Sequence, residues 1–300
     1  MISGLPPPVG GCAAMNYRSF QCGNKSKWRR LLAAIGTVLL LFSYSEAAEP
    51  GLLLDRGFHL LYNLNFAAAQ EQFARYQREH PEDPLGPTSE AAGLLFAELN
   101  RLGVLEASFA KETFHPEAKL APDPRVYERF DSALQRAQAI ARDRLNRDGK
   151  DSDALFATTL GAGLRADYIA LVQGRGIAAL RYTKEATNSA QSLLAVCPNC
   201  YDAYVATGIS RYLIGTVSAP ARWVLRLGGF EGDKLRGKTD LALAAERGHY
   251  LAPFARMLLA IVYVREKDMA HAREILSRLH DDFPANPLFP REIARLDALE

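Results

Sequence analysis

The chain has 300 residues, 48% hydrophobic and 23% charged, with 36 Lys and Arg against 34 Asp and Glu. That balance excludes a disordered or collagen-like chain, and a formal charge of +2 leaves no basic excess for sequence-independent phosphate binding, so nucleic acid is not an expected partner. Four Cys exclude a disulfide-built scaffold.

The chain opens with a targeting pattern. Lys25, Lys27, Arg29 and Arg30 stand directly before an apolar run from Leu31 to Tyr44, the layout of a secretory signal. A membrane-spanning helix wants about 20 apolar residues, and this run meets Ser43, Ser45 and Glu46 too soon. Small residues at Ser45 and Ala47 fit a cleavage site, so residues 1–47 read as a signal peptide, with Met15 an alternative start. The implied location is the periplasm; the alternative is an inner-membrane anchor through residues 31–44, and only in that case does the chain touch a membrane. Residues 1–47 carry five positive side chains and one negative, so cleavage takes the net charge from +2 to −2.

From Leu52 onward apolar residues recur at steps of three and four, the helical period, and no useful strand-like alternation occurs. Pro81, Pro84, Pro122, Pro124, Gly149, Pro198, Gly228, Gly229, Pro284 and Pro287 punctuate segments of helical length. Two of these segments share one spacing. Gly57, Leu60, Phe66, Ala69, Phe73 and Pro81 have the same offsets as Ala260, Tyr263, Met269, Ala272, Leu276 and Pro284. A small residue lets two antiparallel helices cross closely, large apolar ones fill between them, and Pro ends the second helix. In the middle, the segment 153–160 matches 202–209, and Asp153 and Asp202 read as N-caps of the helices they begin.

These residues resemble the tetratricopeptide repeat (TPR) family, strongly at the two ends and weakly between 85 and 250. The resemblance implies an all-α, right-handed helical-repeat solenoid over residues 48–300. About five antiparallel helix pairs are expected, starting near Leu52, Ser89, Asp153, Asp202 and Ala252. A capping helix from Pro290 to Leu299 follows, with Arg291, Glu292, Arg295 and Asp297 as its polar outer face.

One inserted segment, at about 215–233, interrupts the pattern. Trp223, Val224, Leu225, Leu227 and Phe230 alternate there with Arg222 and Arg226. It reads either as a lid or partner-binding hairpin, or as an extra helix plugging a gap between repeats. The glycines at 228, 229 and 232 lack the Lys-Ser/Thr ending of a phosphate loop, and a helix-start turn is expected instead.

Little catalytic chemistry is present. No HExxH and no GxSxG occurs, and His280 with Asp281 and Asp282 reads as a solvated helix end rather than a metal site. Cys197-Pro-Asn-Cys200 could be a redox pair, half a metal site or a structural disulfide. It lies in an inter-helix turn and has no second CxxC, so a local disulfide is expected. No cofactor is indicated.

If the resemblance holds, the first helix of each pair lines a concave groove through Phe58, Leu61, Phe156, Leu160, Val205, Ile209, Tyr212, Phe254, Met257 and Ile261, with Trp223 nearby. Such a groove is apolar and suits a protein or peptide partner. The leading expectation is a non-enzymatic exported scaffold or adaptor at the bacterial envelope. The alternatives are a carrier of a lipid or small apolar ligand, favoured by an enclosed cavity, and a CxxC thiol oxidoreductase.

Overall fold

A computed structural model describes residues 50–110 and 120–298. The signal segment 1–47, the alternative start, the 31–44 anchor and most of the connection after Ser108 lie outside the described residues. The described residues belong to a compact unit spanning Ala48–Glu300, and among them there is no strand.

Among the described residues thirteen α-helices follow one another: α1 (Pro50–Tyr62), α2 (Phe66–Glu79), α3 (Leu85–Arg101), α4 (Val104–Ala110), α5 (Pro124–Arg147), α6 (Ser152–Asp167), α7 (Gly176–Val196), α8 (Tyr204–Thr216), α9 (Ala219–Leu227), α10 (Lys234–Arg247), α11 (Ala252–Arg265), α12 (Met269–Asp282) and α13 (Leu288–Asp297). A π-helical turn, Tyr168–Val172, extends α6, and a 3-10 turn, Tyr201–Ala203, introduces α8. Five helices carry side-chain N-caps: Asn65, Asp123, Asp151, Asp233 and Asp268 each accept a hydrogen bond from a first-turn amide. These bonds satisfy donors that no helix can satisfy internally.

Helix–helix packing gives five pairs, α1–α2, α3–α5, α6–α7, α8–α10 and α11–α12, with α13 closing the stack. First helices also touch across repeats, α1 to α3, α3 to α6 and α6 to α8. This is the all-α helical-repeat solenoid with a capping helix that the sequence implies. The repeated spacing acts as expected. Gly57 lies under the ring of Phe73, where a Cβ would overlap it, and Ala69, Phe73, Ala260, Ala272 and Leu276 are fully buried. The segment Ser152–Val172 is apolar enough, by length and composition, to cross a membrane, but it packs on α3, α5, α7 and α8 as a core helix.

Three local expectations are corrected. The cap of α6 is Asp151, whose carboxylate accepts from the Ala154 amide at 3.0 Å, and Asp153 lies inside the first turn. Asp202 does not cap its own helix; it accepts hydrogen bonds from the amides of His249, Tyr250 and Leu251 at 2.8, 2.9 and 3.1 Å, organising the entry to α11 one repeat away. Glu292 is no part of a polar outer face. At 3% exposure it is buried and accepts from Arg295, while Arg295 also donates to the Phe109 carbonyl at 2.9 Å, docking α13 against α4.

The stack curls far enough for its first pair to meet its last. The Tyr62 hydroxyl donates to the Tyr250 carbonyl at 2.9 Å, Asn286 donates to the Tyr62 carbonyl at 2.8 Å, and the Ala285 amide donates to Asn63 at 3.1 Å. Phe58 packs at a tilt against Tyr250 and Phe96 meets Phe254 edge-on, with ring centres 5.0 and 5.5 Å apart. His249 reaches Asp55 at 2.8 Å. Helix α4 adds contacts to α11 and α13.

Candidate functional site

Curling turns the concave side inward. Eight of the groove residues, Phe58, Leu61, Leu160, Val205, Ile209, Phe254, Met257 and Ile261, line one concave pocket of about 230 Å³. The other two are structural. Phe156 packs among Leu155, Tyr250 and neighbouring side chains, and Tyr212 is buried against Leu241, Leu259 and Val262. These eight residues share one partly open pocket whose walls come from both ends of the solenoid, Phe58 and Leu61 from α1 and Phe254, Met257 and Ile261 from α11.

Trp223 stands apart from this cavity. It is 64% exposed on α9, a helix with no buried residue that rests lightly on α8. This segment neither fills a gap nor covers the cavity. Helix α9 ends at Gly228, Gly229 turns the chain at a φ of +80°, and Asp233 caps α10, so the glycines serve a helix-to-helix turn. Trp223, Val224, Leu227 and Leu235 are left as an uncovered apolar edge.

A second hollow lies on the opposite side of α6. Helices α5 and α7 rise on either side of it, and the outward face of α6 is built from Ala157, Thr158, Gly161 and Ala162. Such small residues leave a groove of about 470 Å³ that continues into a second hollow of about 350 Å³. Tyr127, Arg165, Arg181 and Tyr182 are common to both. Arg165 is held by Asp131 at 2.6 Å, and the guanidinium groups of Arg165 and Arg181 lie 5.6 and 4.3 Å from the centre of the Tyr182 ring. Arginine over tyrosine gives rigid, amphipathic contact area. The sequence reading missed this surface because its residues are spread over three helices with no shared motif.

Cys197 and Cys200 are joined by a disulfide, their Cα atoms 5.4 Å apart, in the turn between α7 and the 3-10 turn before α8. Among the described residues no group of three or more His, Cys, Asp or Glu side chains is placed to hold a metal ion.

No family model and no curated protein matches the chain. Among solved structures, a thermophilic TPR protein of Thermus thermophilus is similar at 14% identity, over 83% of this chain and all of that one, with a TM-score of 0.43. By its five stacked helix pairs the chain has an all-α helical-repeat fold.

Proposed function

We propose that the chain is a non-enzymatic scaffold, exported to the bacterial envelope, that binds a protein partner. The observation that supports this reading best is the outer groove between α5 and α7, with Arg165 and Arg181 ranged over Tyr182 above a floor of small residues. Arg and Tyr are the residue types that dominate binding energy at protein interfaces. Export rests on the basic and apolar pattern before Ala48, and native protein recovered from cells should begin at Ala48 or close to it. An intact Met1 or Met15 in the membrane fraction would replace export with anchoring.

The partner reading is tested by capture from envelope extract, with mass spectrometry of both proteins and lipids. A specific protein should be retained by the parent and lost with Arg181→Glu and Tyr182→Ala. Equal retention by the variants would remove the groove from the partner site. A second reading, a carrier of a small apolar ligand, is favoured by the apolar lining of the concave pocket, and co-purifying lipid without protein would put it first. The oxidoreductase reading has the least support, because no Lys, Arg or His lies within three residues of either Cys197 or Cys200 to lower a thiol pKa.

A further inference from the structure

The concave pocket is apolar except at a few points. Its polar wall groups are Ser108, Thr159, Asp167, Thr183, Asp202 and Ser210, together with the Tyr62 phenol, and among the described residues no Lys, Arg or His lines it. Most of these are already engaged. Ser108, Thr159 and Thr183 donate to helix carbonyls, Asp202 is taken up by its three amides, and Tyr62 donates to Tyr250. Asp167 differs. It is the last residue of α6, and the chain widens into the π turn directly after it, a distortion common at functional sites. Asp167 lines the pocket at partial exposure, and among the described residues none gives its carboxylate a hydrogen bond or ion pair, although the nearby Arg165 is paired with Asp131. Burial with no facing charge pushes its carboxyl up to about 7. A carboxyl group partly shielded by apolar surface and without a protein partner is costly to ionise, and such groups concentrate where a ligand supplies the missing partner.

We infer that the cavity binds a small amphiphilic amine, its apolar body lying against Phe58, Leu160, Phe254 and Ile261 and its ammonium group on the Asp167 carboxylate. The space is larger than the apolar cavity of about 150 Å³ that accommodates benzene, which suits a body of six to ten heavy atoms as an order of magnitude. An acid of the same size would place a second negative charge beside Asp167. This inference rests on the carrier reading and is independent of the outer groove.

The experiment is calorimetric titration of the full-length chain at pH 8 with octylamine, octanol and octanoate, three head groups on one chain. Octylamine should bind about ten- to hundredfold more tightly than octanol, the range for a hydrogen bond to a charged group, and octanoate should bind weakest. Asp167→Asn should bring octylamine down to the level of octanol while octanol is unchanged. Gly163→Leu, at a position with open space around its α-carbon on the cavity wall, should block both, with circular dichroism confirming the helical fold. Equal affinity for octylamine and octanol in the parent overturns the amine assignment while leaving an apolar carrier. Preference for octylamine retained in Asp167→Asn overturns the role of that carboxylate. Absence of binding by all three overturns the cavity as a ligand site and leaves the outer-groove reading standing.

Discussion

Asp202 offers the sharpest test of how the repeats are held together. Its carboxylate is buried and accepts three backbone amides from the turn between α10 and α11, two on Oδ1 and one on Oδ2. Gly248 lets the turn approach closely, and a Cβ there would meet Oδ1. Asp202→Ala strands three donors at about 1–2 kcal/mol each, because a donor without an acceptor keeps its desolvation cost. The expected loss is about 3–6 kcal/mol. Asp202→Asn keeps one carbonyl oxygen on the side of His249 and Leu251 but turns an amine towards Tyr250, so about 1–2 kcal/mol should go. Tyr250 also receives the Tyr62 hydroxyl and packs on Phe58, which means the damage should reach the closure between the ends. Urea unfolding followed by circular dichroism measures both variants; for a domain of this size the Ala variant should also melt roughly 10 °C lower. A loss under about 1 kcal/mol for Ala, or equal losses for Ala and Asn, would refute the assignment of three working hydrogen bonds.

Asp167→Asn should stabilise the ligand-free protein near pH 8. The folded-state pKa is raised to about 7, so the unfolded chain releases this proton near pH 4 while the folded chain holds it. Parent stability should therefore decline between about pH 4 and 7, by at most about 1.4 kcal/mol per pH unit, and pH-dependent thermal melts of the two proteins should diverge over that window. Replacing both Cys197 and Cys200 by Ser should cost no more than about 2 kcal/mol, since a four-residue loop gives little entropic gain, and should leave partner capture intact; loss of a thiol-oxidation activity shown by the parent would favour the oxidoreductase. Gly57→Ala should destabilise by about 1–3 kcal/mol through overlap with Phe73, whereas Gly163→Ala, facing open space, should gain up to about 1 kcal/mol of helix propensity, both read from chemical denaturation.

The repeat was legible because its signal is local. Gly57 against Phe73, and Ala260 with Ala272 and Leu276, place small and large residues at fixed offsets wherever two helices cross, and each offset can be counted along the chain. Curvature is not local. Whether Tyr62 reaches Tyr250 depends on rotations summed over five pairs, two of them enlarged by α4 and α9, and no residue type at any one position reports that sum. So Phe58, Leu160 and Met257 were recognisable as concave-facing, but not as walls of one shared pocket. Asp167 left a faint sign, a lone carboxylate running into Tyr168-Ile-Ala-Leu-Val172, which helical periodicity alone gives no reason to single out. The caps show the same limit: Asp202 sits where an N-cap belongs, and only the neighbouring repeat reveals which amides it serves.

Joining the two ends changes how such a molecule should come apart. An open row of repeats can fray from either terminus, because an outermost repeat has one neighbour and melts at little expense to the rest. Here the outer repeats brace one another through Tyr62, Asn63 and Asn286, so neither is a free end. Removing α1 and α2 would strip the last repeat of a neighbour as well as shortening the first. Unfolding should accordingly be a single concerted event across Pro50–Asp297, and adding or deleting one repeat, a change open arrays absorb readily, would break the circle.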